Sequence, residues 1–208
     1  MPTVHVASHP LIRHKLARLR DKTTPPPEFR KLVAEISRGL LFEATKDLRL
    51  AQVSVQTPLM ETTCERLADR IGLVPVLRAG LGMAEAMLDA LPEATVWHLG
   101  LYRDHATLKP VTYYNKLPAK PDMDFALVLD PMLATGGSAI AAIDILKKAG
   151  APRIGFAGLI AAPEGVKALR DAHPDVPVTL AALDSHLNEI GYIVPGLGDA
   201  GDRQFGTA

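Results

Sequence analysis

Unbroken apolar runs and helical stripes take turns along most of this chain. Phe125, Ala126, Leu127, Val128 and Leu129 form a continuous apolar stretch that stops on Asp130. Short runs of this kind, bounded by turn residues, predict strands buried on both faces. The same reading predicts strands over Leu73 to Leu77, Thr95 to Tyr102, Arg153 to Ile160 and Val176 to Ala182. Between them, helical spacing predicts helices over Gly82 to Leu91, Ala139 to Ala149 and Glu164 to Ala172, the last entered through Pro163. Alternating strands and helices predict an α/β fold with a mainly parallel central sheet covered by helices on both faces.

The N-terminal part follows another pattern. Ile12, Leu16 and Leu19 recur at helical spacing within His9 to Arg20, with Ser8 and Pro10 as a start signal. Pro25, Pro26 and Pro27 break that helix. Glu28 to Lys46 then carries Phe29, Leu32, Val33, Ile36 and Leu40 on one stripe. Residues 1–50 are therefore expected to form a helical arm. The first of these helices is basic and amphipathic, as an organelle transit peptide is, but it lacks the serine enrichment of such peptides. Gln52 to Thr57 alternates as a further strand candidate. Two regions escape the alternation. Residues 103–122 are polar, punctuated by proline and too long for an ordinary connection, which predicts a flexible hairpin or lid over Asp104 to Lys120. Residues 187–208 are rich in glycine and show neither period, yet Tyr192, Ile193, Val194 and Phe205 predict that they pack.

Composition narrows the classes. A chain of 208 residues is expected to be one domain with a full core. Lysine plus arginine and aspartate plus glutamate balance at 23 each, which removes any global electrostatic case for nucleic acid or membrane binding. The longest apolar stretches fall far short of the roughly 20 residues that span a bilayer. Cys64, the single cysteine, has no disulfide partner within the chain and no zinc-ligand pattern around it. It is expected to be buried, and a reducing cytoplasm is the expected location.

The chemistry is concentrated after the Phe125 to Leu129 run. Asp130 falls at the carboxyl end of a buried strand, where open α/β sheets place ligands. Thr135, Gly136, Gly137 and Ser138 then turn into a helix whose first backbone N–H groups and positive dipole end converge on one point, an anion site. Neither a lysine following the glycines nor a GxGxxG is present, so the spacing fits neither common phosphate loop. Arg78 follows another buried strand and precedes Gly80 and Gly82, able to grip phosphate oxygens bidentately. Arg103 occupies the analogous place after Tyr102. A solvated surface arginine, for Arg78, and an ion pair with Asp104, for Arg103, are the plain alternatives.

The segment DPMLATGGS resembles the PRPP-binding loop of the type I phosphoribosyltransferases, in the form taken by the uracil phosphoribosyltransferase branch. Pro131 stands where most of the superfamily has a second acid, which speaks against a purine-type member. VPVLRAGLGM, GLYRD and GYIVPGLGDAGDR extend the resemblance over nearly the whole chain. It implies a PRPP site formed by Arg78, Arg103, Asp130, Pro131, Met132, Leu133, Ala134, Thr135, Gly136, Gly137, Ser138 and Asp199. It also implies a uracil site at Ile193, Gly198, Asp199 and Ala200, with Arg78, Arg103 and Asp199 as catalytic candidates. Bare backbone at Gly198 to Ala200 suits the acceptor, donor, acceptor edge of uracil, and a backbone reader of that edge rejects cytosine. Asp199 is open between a positioning group, a water-bridged magnesium partner and a general base. The implied reaction is uracil plus PRPP to UMP and diphosphate, in pyrimidine salvage, with Mg²⁺ carried by PRPP and no metal ligand assigned directly. A homodimer or higher homo-oligomer, with GTP as an allosteric activator, belongs to the same expectation. A regulatory protein that binds a nucleotide and RNA is opposed by the neutral charge. A purine or orotate enzyme is opposed by Pro131 and the C-terminal motif.

Overall fold

The computed structural model of the chain describes residues 4–103 and 110–207, with only the backbone at Tyr102, Arg103 and Pro110. The chain opens with a short strand, β1 (Val4–Val6), followed by α1 (Pro10–Arg20) and α2 (Pro26–Ala44). A hairpin of β2 (Leu50–Gln56) and β3 (Glu61–Leu67) leads into β4 (Ile71–Leu77) and α3 (Leu81–Ala90). Next come β5 (Thr95–Val96), β6 (Leu99–Arg103), β7 (Pro110–Asn115), β8 (Phe125–Leu129) and β9 (Met132–Leu133). The chain continues through α4 (Gly137–Lys148), β10 (Ile154–Ala161), α5 (Pro163–Ala172) and β11 (Val178–Leu183). It finishes with a second hairpin, β12 (His186–Leu187) and β13 (Ile193–Val194), and α6 (Ala200–Phe205).

The central sheet has nine strands along the path β1-β11-β10-β8-β4-β6-β7, with β5 beside β4 and β9 beside β10. Its pairings are parallel except that β7 runs antiparallel to β6. Period 2 in β8 explains why the strand is apolar throughout. Leu127 and Leu129 join a core with Phe29, Leu32, Ile36 and Leu40 of α2 and Met83 and Met87 of α3. Ala126 and Val128 face the opposite core, with Ile143 and Leu146 of α4 and Leu169 of α5. Helices on both faces leave no wet side for a polar residue.

Several expectations are corrected. The N-terminal arm is not purely helical, because β1 adds a parallel edge strand to β11. His9 rather than Ser8 caps α1, its Nδ1 accepting the Leu11 N–H at 3.2 Å. The strand expected over Thr95 to Tyr102 is two strands separated by Trp97 and His98. Gln52 to Thr57 is one side of a full hairpin, and β3 escaped notice because its burial shows no alternation, every residue being exposed. For the same reason Cys64 is exposed rather than buried. The stretch 187–208 is not without elements, holding β12, β13 and α6. Of the expected lid, Pro110 to Asn115 is a strand paired to β6, while residues 104–109 lie outside the described residues. Among the described residues no helix is long and apolar enough to cross a membrane.

Candidate active site

β8 delivers Asp130 to the carboxyl edge of the sheet, and Pro131 makes the step that follows. Its carbonyl accepts two N–H groups of β10, those of Leu159 and Ile160, each at 3.0 Å. The register is unchanged across the step, Leu129 opposite Ala157 before it and Met132 opposite Ile160 after it, so one shared carbonyl carries the pairing past the proline. After it β9 resumes pairing, Met132 with Ile160 and Leu133 with Ala161. Asp130 is turned back on its own chain, Oδ1 accepting the Met132 N–H at 3.2 Å. Burial pushes this carboxyl up to about 7, and the Met132 N–H offsets only part of the rise.

From β9 the chain reaches α4 through Gly136, whose φ of 85° is left-handed and suits glycine. α4 begins at Gly137, two residues before the expected start, and Gly136 offers no side-chain cap. The first-turn N–H groups of a helix have no partners within the helix. Those of Gly137, Ser138 and Ala139 lie on residues that line an adjoining cavity of about 440 Å³. Asp130, Met132, Leu133, Ala134, Thr135 and Gly136 line the same wall.

The C-terminal segment forms the facing wall with Ile190, Gly191, Tyr192, Ile193 and Asp199. Long-range polar ties hold it there. Arg20 of α1 pairs with the Asp184 carboxylate, whose side chain is only 4% exposed, and donates to the Gly196 carbonyl at 2.7 Å. Asp184 Oδ2 also accepts the Gly196 N–H at 3.0 Å. Arg203 reaches the carbonyls of Leu19 at 2.9 Å, Leu197 at 2.8 Å and Asp21 at 2.5 Å, with its guanidinium 4.4 Å from the Phe29 ring centre. Gln204 donates to the carbonyls of Ala79 at 2.9 Å and Ala200 at 3.0 Å. The N-terminal arm is thus a brace for the tail, and Arg203, left without a role by its position in the sequence, is one of its fasteners.

Asp199 caps α6, Oδ1 accepting the Asp202 N–H at 2.9 Å. Arg78, at the end of β4, pairs with Asp202 at 3.2 Å rather than standing free. A Cβ on Gly201 would lie 3.2 Å from Asp199 Oδ1 and 3.8 Å from Arg78 Nη2, so both groups approach one point. Hydrogen bonding from Thr207, then the pairing with Arg78, holds Asp202 below the usual carboxylate range.

The cavity therefore gathers Asp130, Met132 to Ser138, Ile193 and Asp199, with Arg78 beside Asp199. Pro131 does not line it; it is buried and its carbonyl bonds β10. Gly198 and Ala200 do not line it either, and Ala200 is fully buried at the start of α6. Arg103 ends β6, whose parallel register beside β4 brings both carboxyl ends to the same edge, but its side chain lies outside the described residues. Ile190, Gly191 and Tyr192 were missed as lining residues. The apolar and aromatic character of Tyr192 and Ile193 in a glycine-rich tail was the available signal.

Among the described residues no group of three or more His, Cys, Asp or Glu is arranged to hold a metal ion. Two carboxylates nevertheless line the cavity, and burial disfavours charge on one of them. Such oxygens suit a hard cation that arrives already bound to phosphates.

A family model described as uracil phosphoribosyltransferase matches residues 6–207. The chain is 65% identical over 207 residues to the uracil phosphoribosyltransferase of Roseiflexus castenholzii, with 100% of each chain covered. The solved structure of the AQ2163 protein from Aquifex aeolicus is similar with a TM-score of 0.93 at 37% identity, covering 99% of each chain. A hypoxanthine-guanine phosphoribosyltransferase from Bacillus anthracis shares the fold, with a TM-score of 0.50 at 11% identity, over 76% of this chain and 80% of that one. With a helix N-terminus and a backbone-rich tail facing each other across one cavity, and with this match along its length, the chain belongs to the uracil phosphoribosyltransferase family.

Proposed function

We propose that the chain transfers the 5-phosphoribosyl group of PRPP to N1 of uracil, giving UMP and diphosphate. The observation that carries this reading is the single cavity shared by the uncapped start of α4 and the Ile190 to Ile193 wall. Its volume of about 440 Å³ suits a small-molecule site. The N–H groups of Gly137, Ser138 and Ala139, with the Thr135 and Ser138 hydroxyls, hold the 5-phosphate. Asp130 accepts hydrogen bonds from the ribose hydroxyls. Displacement at the anomeric carbon builds negative charge on the departing diphosphate, which Arg78 and Arg103 at neighbouring strand ends stabilise. Arg78 must exchange Asp202 for the diphosphate. Asp130 and Asp199 would hold a Mg²⁺ that arrives with PRPP, and the ion would supply neutralisation of diphosphate charge. The tail backbone from Ile193 to Ala200 receives the O2, N3–H and O4 edge, for which Gly198 and Ala200 must present main-chain atoms.

Asp130 gives the reading a pH signature. A carboxyl raised to about 7 is mostly protonated at pH 6 and accepts poorly there. PRPP binding should release protons near neutrality, and the KM for PRPP should rise as pH falls from 8 to 6. A panel of uracil, cytosine, orotate, hypoxanthine and 5-fluorouracil with PRPP and Mg²⁺ tests the function. UMP from uracil with cytosine rejected is expected; no UMP at any enzyme concentration refutes it.

Asp104 to Lys120 is proposed to cover the bound substrates. Deleting the segment should raise competing PRPP hydrolysis, and unchanged hydrolysis and uracil KM would remove this role. A homodimer or higher oligomer is supported by the β2–β3 hairpin, which exposes Leu50, Leu59, Met60 and Leu67. Sedimentation as a monomer at micromolar concentration would reject it. Activation by GTP and a cytoplasmic location complete the reading, supported by family membership and tested by GTP titration of initial rates and by cell fractionation.

A further inference from the structure

Glu164 and Gly165 stand in the first turn of α5, between the two walls of the cavity, and line neither. Glu164 Oε1 accepts the Leu187 N–H at 3.0 Å. Leu187 lies in β12 directly opposite Ile193, the apolar wall of the base pocket. The hairpin that holds both is stiffened from within. Ser185 donates from N and Oγ to the Val194 carbonyl at 2.9 and 2.8 Å, and Asn188 Oδ1 accepts the Tyr192 N–H at 2.8 Å and the Ile190 N–H at 3.2 Å. A stiff hairpin moves as a unit, so an external tie sets where its whole cavity-lining turn sits.

Gly165 meets the other wall. A Cβ there would overlap the Ala134 carbonyl oxygen and come within 2.6 Å of that of Leu133. In return, a Cβ on Gly136 would come within 3.1 Å of the Gly165 carbonyl oxygen. The phosphate loop and the start of α5 are therefore in direct backbone contact. Two consecutive residues touch both walls, one through a charge-assisted hydrogen bond and one through the absence of a side chain.

We propose that Glu164 is a positioning residue for the acceptor base, fixing the Ile190 to Ile193 wall at its working distance from the phosphate loop, with Gly165 as the footing on the phosphate side. The proposal rests on the reading of that wall as the base pocket. It assigns the brace to a helix outside both motifs. The Leu187 N–H, followed by the residue's own N–H, holds Glu164 below the usual glutamate range, so the acceptor stays charged at neutral pH.

Full-length Glu164→Ala and Glu164→Gln proteins, assayed with uracil and PRPP varied in turn, give the test. For loss of one such hydrogen bond, Glu164→Ala should raise the uracil KM about fivefold, with the PRPP KM and kcat within about twofold. Glu164→Gln, whose amide oxygen accepts the same N–H, should restore most of the loss. Gly165→Ala should show the opposite split, raising the PRPP KM more than that of uracil. An unchanged uracil KM in Glu164→Ala, or a parallel rise in both KM values, overturns the proposal. Amide exchange supplies a readout independent of turnover. Residues 185–192 should exchange faster in Glu164→Ala while α4 is unaffected, and unchanged exchange overturns the brace. If the wild-type protein forms no UMP, the functional reading fails, and exchange at Leu187 still decides whether Glu164 braces the hairpin.

Discussion

The two walls of the cavity are built in opposite ways. The phosphate wall, Asp130 to Ala139, is one continuous segment whose shape follows from its own residues: the end of a buried strand, a proline step, a left-handed glycine and a helix start. The base wall is short, irregular and held by side chains far away in sequence. Arg203 binds carbonyls 182 and 184 residues distant, Gln204 one 125 distant, and Arg20 crosses 164 residues to Asp184. A local wall depends on backbone geometry, whereas an assembled wall depends on polar contacts that single substitutions can remove. Outside its own segment the phosphate wall should therefore be disturbed only where backbone packs directly on it, as at Gly165, and the base wall from many remote side chains.

The largest expected effect is at Asp130. Because its carboxyl is raised in the folded protein, the stabilisation it provides is complete below pH 3.8 and is lost as pH rises through about 7. Asp130→Asn removes that decline, worth up to ~4 kcal/mol between those limits. Denaturant melts at pH 5 and pH 8 should show the variant gaining on the wild type at the higher pH while its PRPP KM rises. Equal pH slopes in the two proteins would show that the phosphate wall carries no such stored cost.

Arg203→Ala comes next. It strips three carbonyls of a charged donor and removes a cation over Phe29, so ~3 kcal/mol of stability should be lost. Exchange protection should fall first in residues 184–206, and the uracil KM should rise more than the PRPP KM. A uniform loss of protection would abolish the distinction between the walls. Gly136→Ala probes the other side: a Cβ at φ 85°, 3.1 Å from the Gly165 carbonyl oxygen, should cost ~1–2 kcal/mol. Its kinetic signature should be the reverse, a raised PRPP KM with little change for uracil.

The smallest effect separates two duties of one residue. Asp199→Ala deletes the cap of α6 and should cost about 1 kcal/mol, whereas Asp199→Ser keeps a capping oxygen and most of the stability. Both lack the carboxylate, so both should lose kcat/KM with PRPP and uracil. If Asp199→Ser retained full turnover, the residue would be a cap alone.

The same contrast explains what could be read from residues. The β8 segment announces itself because burial on both faces, the terminal acid and the glycine pair are neighbours in sequence. The mainly parallel sheet and the helices on both its faces follow from the alternation of elements. The bonding at Pro131 was not legible, since nothing in DPM says that one carbonyl receives two N–H groups. The arm's role was hidden for a different reason. Its amphipathic stripe accounts for packing on the sheet, but the main-chain carbonyls of Leu19 and Asp21 carry no sequence signal, and they are what Arg203 binds. In the tail, the motif pointed to Ile193, Gly198, Asp199 and Ala200; Ile193 and Asp199 line the cavity, joined by Ile190 to Tyr192, while Gly198 and Ala200 do not. Strand β2 showed through its alternation, but its partner β3 escaped because every residue in it is exposed, which erases the pattern on which strand prediction rests.

The fastening of Arg203 and Gln204 to the arm also sets a schedule for biosynthesis. During translation the N-terminal arm and β8 emerge first, and the phosphate loop can take its place in the sheet while the tail is still within the ribosome. The base wall cannot close until Arg203 and Gln204 have emerged. A nascent chain should thus be able to grip a phosphoribosyl donor before it can choose an acceptor, and a bulky fusion placed just after Gln204 should impair selectivity before it impairs folding.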